Sequence, residues 1–125
     1  MYHLKPQNQF PLLKKYQEKF KTDKNTIFAY GDTIYVNGTL TPDLLVHELT
    51  HLEQQERDGL DYWTKNYLNN PEYRLKQELE AYKKQLESIK DRNLKAKVTL
   101  KSALTLSSPL YGNLLTFEQA KQILK

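Results

Sequence analysis

TPDLLVHELTHLEQQERDG, residues 41–59, is the stretch from which the rest of the chain can be ordered. Its first residues form a helix start: Thr41 suits the N-cap, Pro42 suits the first helical position, and Asp43 places an acid near the positive end of the helix dipole. A glycine closes the stretch, as is common just past the end of a helix. The sequence therefore predicts a helix that runs to about Asp58.

The middle of this predicted helix carries HELTH, residues 47–51. At about 100° per residue, His47 and His51 lie within about 40° of each other, nearly opposite a narrow stripe of leucines. Two histidines four apart can share one cation, and Glu48 faces the position that a metal-bound water would fill. By residue frequency, HExxH arises by chance in roughly one chain of this length in a hundred, so two histidines on a solvated helix face are the alternative. The stripe consists of Leu45, Leu49 and Leu52.

A catalytic zinc site needs a third protein ligand, and no histidine is placed to supply it. The longer pattern, in which a glycine and a third histidine follow on the same stretch, is absent because Gln54 and Arg57 hold those positions. Gln55 stands four residues after His51, and the only other histidine, His3, is far away near the N-terminus. The third ligand is therefore expected to be a carboxylate.

The best carboxylate lies in PEYRLKQELEAYKKQLESIK, residues 71–90. The apolar residues of this stretch fall within about 80°, which predicts a helix packed on the core. Glu78 lies about 60° from the middle of the stripe, whereas Glu80 is turned about 140° away, towards water. Helix geometry therefore selects Glu78 as the third ligand. The alternative is that Glu78 only forms an ion pair with Arg74, one turn earlier. The stripe consists of Leu75, Leu79, Tyr82, Leu86 and Ile89.

HELTHLEQQ and RLKQELEAY, residues 47–55 and 74–82, resemble the small gluzincin-type zinc metallopeptidases, particularly the minimal ones of bacteriophage and bacterial genomes. In that family the third ligand is the first glutamate of an E-x-x-A motif on the next long helix, which residues 78–81 fit. The resemblance covers roughly residues 27–90. Many members have an aspartate directly after the alanine, and this chain departs from them with Tyr82.

The resemblance and the spacing together imply a zinc-dependent metallopeptidase that hydrolyses peptide bonds. Three ligands would hold Zn²⁺ and leave the fourth position to a water whose pKa falls towards neutrality. Glu48 would be the general base that takes the proton of this water and passes it to the leaving amine. The expected ligands are His47, His51 and Glu78.

Several groups around the zinc are candidates for supporting roles. A second electrophile usually helps to carry the developing oxyanion, and Tyr111, Tyr73 and Arg74 are available, with Tyr111 taken as the catalytic one. Tyr82 and Arg74 are expected to support the zinc ligands without binding the zinc themselves. The run 33–36 is either a sheet edge to which an extended peptide adds as another strand or a plain hairpin.

The other elements are predicted from local patterns. Two β-branched and aromatic runs, 27–30 and 33–36, flank a Gly-Asp pair and predict a small hairpin or meander ahead of the HExxH helix. Aromatic residues after that helix are expected to fill the core: Tyr62, Trp63 and Tyr67. Helical spacing predicts further helices over 11–21 and 94–106. Thr116 and Gln119 resemble a capping box, which predicts a last short helix over 117–124.

These elements predict a mostly helical α+β fold, a minimal zincin-like domain with the small β element before the HExxH helix. The length of 125 residues suits one domain with one modest core. We therefore expect a single metallopeptidase-like domain over residues 1–125. Its zinc-site region would span about 27–90, and a helical C-terminal extension would span about 91–125.

Composition and charge fit a folded, polar protein. Hydrophobic residues make up 38% and charged residues 27%, and there is no cysteine to form a disulfide. No window is apolar enough to span a bilayer and no secretory signal is visible, so we expect a cytoplasmic protein, or a virion component if a phage encodes it. The net charge of +4 comes mostly from lysines without interleaved aromatics, which indicates a solvated helix face rather than a nucleic-acid site.

Two alternatives from other classes stay open beside the enzyme. One is a catalytically silent zinc-binding virion or assembly protein, and the other is a helical interaction module without metal, in which HELTH is only surface. Metal content separates the module from the two zinc proteins, and activity separates those two from each other. The expected partner is a peptide or protein substrate, with no nucleic acid and no membrane, and the sequence carries no signal for an oligomeric state.

Overall fold

The computed structural model describes residues 1–125 as six α-helices with a small three-stranded sheet. The strands are β1 (His3–Lys5), β2 (Phe28–Tyr30) and β3 (Thr33–Tyr35). The helices are α1 (Leu13–Lys19), α2 (Pro42–Asp58), α3 (Leu60–Asn69), α4 (Pro71–Glu87), α5 (Arg92–Leu106) and α6 (Phe117–Leu124), with 3₁₀ turns at Gln7–Gln9 and Pro109–Tyr111. The predicted mostly helical α+β class is confirmed. None of the helices is both long enough and apolar enough to cross a membrane.

The sheet is built on β3, which lies between its two neighbours. β2 pairs with β3 in antiparallel register, Tyr30 opposite Thr33, and Gly31 supplies the positive φ of 70° in the tight turn between them. β1 pairs with the other side of β3 in parallel, so His3 lies in a strand that was not predicted. Of the two alternatives for residues 33–36, the free sheet edge is wrong, because both sides of β3 are paired. The edge strand that contacts α2 is β2.

Two apolar clusters hold these elements together through burial of large side chains. The first is mainly aliphatic and joins α4 to α5, α6 and the 3₁₀ turn between them, and it contains Leu75, Leu86, Ile89, Ala103, Leu106, Tyr111, Ala120 and Leu124. The second is mainly aromatic and joins the sheet to the N-terminal segment and α3, and it contains Phe10, Tyr16, Phe28, Tyr35 and Leu68. No residue of α2 belongs to either cluster, and α2 packs chiefly against α4, α3 and β2.

The buried face of α2 is polar. Its buried residues are His47, Glu48, Thr50, His51, Gln54 and Gln55. The leucine stripe at 45, 49 and 52 is only half-buried, although a helix of a soluble protein usually turns its apolar stripe inwards. The alternative of two histidines on a solvated helix face is contradicted, since His47 is 6% and His51 5% exposed. Buried polar side chains cost free energy unless each finds a partner, so the partners of this face decide what it does.

A side-chain cap fixes the start of α4 but not that of α2. Thr41 stands at the predicted N-cap of α2, but its hydroxyl donates to Asp43 Oδ1 over 2.7 Å and caps no backbone N–H. Asn70 caps α4 by accepting from two backbone N–H groups of the first turn, and Pro71 follows at the first helical position. This fixed start sets the rotation of α4, which carries Glu78 towards α2.

Candidate metal centre

Two histidines of α2 and one glutamate of α4 converge in the interior. The Nε2 atoms of His47 and His51 lie 3.2 Å apart. Glu78 straddles the pair, with Oε1 3.0 Å from His47 Nε2 and Oε2 3.1 Å from His51 Nε2. All three residues are buried, and each offers one ligand atom within reach of a single metal ion.

The separations in this group match those of ligands around a small cation. Zinc binds imidazole nitrogen and carboxylate oxygen at about 2.0 to 2.2 Å, so two ligands at a tetrahedral angle lie about 3.3 Å from each other. The Nε2 atoms of His47 and His51, 3.2 Å apart, are close to that value. Each of them is also 3.0 to 3.1 Å from a different oxygen of Glu78. His47, His51 and Glu78 therefore form a buried group that could hold a metal ion.

The tautomer of His47 is set by a glutamine of α4. Gln85 Oε1 lies 2.9 Å from His47 Nδ1, while Gln85 Nε2 donates to Asp43 Oδ2 over 2.7 Å. Because a carboxylate only accepts, the amide nitrogen must face Asp43 and the amide oxygen must face the imidazole. His47 therefore carries its hydrogen on Nδ1, and the lone pair of Nε2 points at Glu78.

A second glutamine does the same for His51. Gln54 Oε1 accepts from Trp63 Nε1 over 3.2 Å and lies 2.9 Å from His51 Nδ1. Gln54 Nε2 donates to the Gln77 carbonyl over 2.9 Å and to Glu80 Oε1 over 2.8 Å, which fixes the orientation of the amide. A neutral His51 therefore also presents an Nε2 lone pair to the centre. Two lone pairs and a carboxylate that face each other need a proton or a cation between them, so the donor set fits a metal.

The pKa shifts in the metal-free group also show that a positive charge is needed beside Glu78. Burial lowers the pKa of His51, but the Glu78 carboxylate raises it by more, and the net effect is a rise from 6.5 to about 9. Burial raises the pKa of Glu78, but His51 and His47 lower it by more and hold it well below 4.5. Glu78 is therefore a carboxylate, and without metal one proton on His51 provides the balancing charge.

A tyrosine of α3 donates a hydrogen bond to the Glu78 carboxylate. The Tyr67 hydroxyl donates to Glu78 Oε2 over 2.6 Å, a short bond of the kind that a charged acceptor makes. Burial and the Glu78 charge raise the pKa of Tyr67 well above 10, so Tyr67 remains a donor at every ordinary pH. The Tyr67 ring stacks on Trp63 with centroids 4.6 Å apart, which connects the supports of Glu78 and His51.

Glu48 lies beside the centre and differs from its neighbours in having no hydrogen-bond partner in the protein. It is 7% exposed and lines the same cavity as the three potential ligands. Burial raises the pKa of the Glu48 carboxyl above 4.5, although His47 and His51 act to lower it. A buried carboxyl that faces a cavity and is tied to nothing is free to take and release a proton.

The cavity has a volume of about 420 Å³ and brings together parts that are distant in the sequence. Its lining comes from α1 and the segment that follows it, from β2, from α2, α3, α4 and α5, and from the 3₁₀ turn at Pro109–Tyr111. His47, Glu48, His51, Glu78 and Tyr111 all line it. A volume of this size is within the range of small-ligand sites.

The other residues singled out from the sequence have varied positions. Tyr82 packs the edge of its ring on His47 at 4.5 Å between centroids and makes no hydrogen bond to a ligand. Arg74 makes no ion pair with Glu78; it donates to the carbonyls of Tyr67 and Leu110. Tyr73 donates to Asp58 over 2.6 Å and does not line the cavity.

Two further expectations need correction. Glu80 was expected in water, but it is half-buried, because it accepts from Gln54. Of the three aromatic residues expected in the core, Trp63 is buried but Tyr62 is 59% exposed. Trp63 and Tyr67 also do more than fill space, since both donate hydrogen bonds at the centre.

The sequence reasoning missed the two glutamines that orient the histidines. Gln54 and Gln85 are 1% and 3% exposed, and both lie on helix faces that already carry a predicted ligand. The available signal was spacing: Gln54 follows His51 by three residues, and Gln85 follows Glu78 by seven, which is two helical turns. The adjacent Gln55 has a different task, because its amide bonds to Ala29 O and Gly31 N of the β2 edge.

Comparisons of the chain with protein-family models, with curated proteins and with solved structures found no match. Support for the chemistry of the centre comes from its own geometry. That geometry offers two histidines and one glutamate that could hold a metal ion, a free carboxyl beside them, and a cavity that reaches all four.

Proposed function

We propose that the protein is a zinc-dependent metallopeptidase of the gluzincin type that hydrolyses peptide bonds. The observation that carries the proposal is the arrangement of the HExxH face of α2. This face is buried against Glu78, and Glu48 is left unbonded at the cavity. A buried carboxyl without a hydrogen-bond partner costs free energy, and the position of Glu48 at the cavity beside both histidines supports a chemical role for it.

The expected zinc ligands are His47 Nε2, His51 Nε2 and the Glu78 carboxylate. With one carboxylate and two neutral imidazoles, the donor set is one that catalytic zinc sites use. When bound, zinc supplies a lowered pKa for a water molecule and polarisation of the substrate carbonyl. The amides of Gln54 and Gln85 orient the imidazoles, and the Tyr67 hydroxyl orients the carboxylate.

Glu48 is the proposed general base. Its carboxylate takes a proton from the water as the water oxygen forms a C–O bond to the amide carbon. It then delivers the proton to the leaving amine nitrogen, and the amide C–N bond breaks. Burial raises the pKa of the carboxyl, which moves it towards the range where it can both accept and donate at neutral pH. Its lack of a hydrogen-bond partner leaves it free for this exchange.

Tyr111 is the proposed donor to the developing oxyanion. Of the three candidates from the sequence, Tyr73 is bonded to Asp58 away from the cavity, and Arg74 is bonded to two backbone carbonyls. Tyr111 is buried and lines the cavity, and burial raises its pKa well above 10, so it remains a neutral donor. A hydroxyl donor at that position would stabilise charge that appears only in the transition state.

The proposed substrate is a peptide or a flexible protein segment. A cavity of about 420 Å³ has room for only a few residues of an extended chain, and α2 and the edge strand β2 meet along one side of it. A folded protein would have to present a loop or a terminus to the site.

Substitution of Glu48 tests the proposal. Zinc-loaded wild-type protein is expected to cut members of a peptide library, and Glu48→Gln is expected to reduce the rate by about 10²- to 10⁴-fold while zinc stays bound. Glu53→Gln, an exposed change on the same helix, is the matched control and should leave the rate unchanged. Stoichiometric zinc without any cleavage would make the protein a silent zinc-binding virion or assembly protein. Absence of zinc binding would leave only the alternative of a helical interaction module without metal.

A further inference from the structure

Each ligand histidine is linked to a carboxylate through one glutamine amide. In the first link, His47 Nδ1 donates to Gln85 Oε1 over 2.9 Å, and Gln85 Nε2 donates to Asp43 Oδ2 over 2.7 Å. In the second, His51 Nδ1 donates to Gln54 Oε1 over 2.9 Å, and Gln54 Nε2 donates to Glu80 Oε1 over 2.8 Å. The two links follow the same order, imidazole, amide and carboxylate, although they come from different parts of the two helices.

The carboxylates at the outer ends are anchored in place. Asp43 also accepts from the Thr41 hydroxyl over 2.7 Å, and Glu80 also accepts from Arg57 over 3.4 Å. Both acids are only half-buried, so a negative charge there costs less desolvation free energy than one at the centre. Each amide is thus held on one side by a fixed anion and on the other by an imidazole, which leaves it a single orientation.

We propose that Gln54 and Gln85 are positioning residues that set the binding strength and the charge of the metal centre. Each keeps its histidine in the Nδ1–H tautomer and keeps the negative charge one amide away from the imidazole. A carboxylate directly on the Nδ1–H would make the ligand more basic and transfer more electron density to the metal. The neutral amides keep the metal more electrophilic and its binding weaker than a direct carboxylate would. This inference rests on the metal centre of the proposed function and not on peptidase activity.

An exchange of the two groups of one link tests the claim. The double variant Asp43→Asn with Gln85→Glu keeps the net charge, the number of side-chain hydrogen bonds and nearly the side-chain volume. It moves the negative charge from the far side of the amide to His47 Nδ1. We expect the affinity of the full-length chain for Zn²⁺, measured by competition with a chromophoric chelator, to rise by about tenfold or more.

Removal of the Gln54 amide should lower the zinc affinity instead of raising it, and Gln55 provides the matched control. Gln54→Leu should lower the zinc affinity by about 10- to 100-fold, because His51 loses the acceptor that orients it. Gln55→Leu removes an equally buried amide from the next position of α2, where the amide bonds only to the β2 backbone. This control should leave the zinc affinity within about twofold, although it lowers stability.

Histidine ¹⁵N shifts give a readout that a packing role would not change. Both ligand histidines should show the Nδ1–H tautomer in the zinc-loaded wild type, and His47 Nδ1 should shift towards the deprotonated value in the exchange variant. An unchanged affinity in the exchange variant, equal losses in Gln54→Leu and Gln55→Leu, or an Nε2–H tautomer would each overturn the proposal. If the wild type binds no zinc, the proposed function fails, while spectra of the metal-free protein at about pH 10 still test both tautomers.

Discussion

His47 Nε2 lies 3.0 Å from Glu78 Oε1, and the Gln85 amide holds the only hydrogen of a neutral His47 on the opposite ring nitrogen. A lone pair and a carboxylate oxygen in such contact repel each other unless positive charge lies between them or next to them. The same holds for His51 and Glu78 Oε2 at 3.1 Å. The His47, His51 and Glu78 group could therefore hold a cation.

Glu78→Ala should remove most of the zinc affinity, because it deletes the only charged ligand. Glu80→Ala should lower the affinity by no more than about tenfold, because Glu80 acts on His51 only through the Gln54 amide. Zinc competition assays on both variants measure the difference. Equal losses would contradict the assignment of Glu78 as the ligand.

Tyr67→Phe should weaken the metal-free fold and the zinc site together. The hydroxyl makes a 2.6 Å bond to a buried carboxylate, and hydrogen bonds to charged groups contribute about 1.5 to 3 kcal/mol. Urea unfolding of the metal-free protein and zinc competition are the two measurements. Tyr62→Phe, which removes a hydroxyl from an exposed ring of the same helix, should change neither quantity.

Tyr111→Phe should lower kcat by about 10²- to 10³-fold with little change in zinc affinity, because the proposed role of the hydroxyl is to donate to the oxyanion. Tyr73→Phe removes a hydroxyl that bonds to Asp58 and should leave kcat unchanged. Steady-state kinetics on a cleaved peptide compare the two variants. A loss of zinc affinity in Tyr111→Phe would instead give this residue a structural role.

The metal-free protein should lose stability at alkaline pH. His51 has a pKa of about 9 in the folded chain against 6.5 ordinarily, so its charge stabilises the fold fully below about pH 6.5. That contribution, on the order of 3 kcal/mol, is lost as the pH rises through about 9. Urea unfolding of the metal-free protein at pH 7 and pH 10 measures the loss. Zinc-saturated protein, in which His51 is already neutral, should not show it.

The same shift predicts proton release on metal binding. At pH 7 the metal-free centre holds a proton on His51, and a ligand imidazole must be deprotonated. Zinc binding should therefore release about one proton from the centre, which calorimetry in buffers of different ionisation enthalpy detects. No release would show that His51 is neutral before zinc binds.

The sequence was sufficient for the elements whose patterns are local. The helix start at Thr41–Asp43 and the rotation of Glu78 towards a buried face both follow from positions along a single helix, and the structure has both. The selection of Glu78 over Glu80 as the residue that meets the two histidines is confirmed by the buried His47, His51 and Glu78 group.

The features that were missed depend on contacts between distant segments. Which face of α2 is buried could not be read from α2 alone, because burial of His47 and Gln54 instead of the leucine stripe depends on polar partners from α3 and α4. Likewise β1 has only three exposed residues, which form a strand only because β3 offers a second side to pair with. Gln85 looks like an ordinary helix residue until its neighbour across the helix interface is known to be His47.

The most direct test of the central claim is anomalous diffraction at the zinc absorption edge from crystals grown with zinc. The account predicts one strong peak, about 2.0 to 2.2 Å from His47 Nε2, His51 Nε2 and a Glu78 carboxylate oxygen. A zinc-binding protein with no peak at this position, or with a peak coordinated by other residues such as His3 and Asp32, would contradict it.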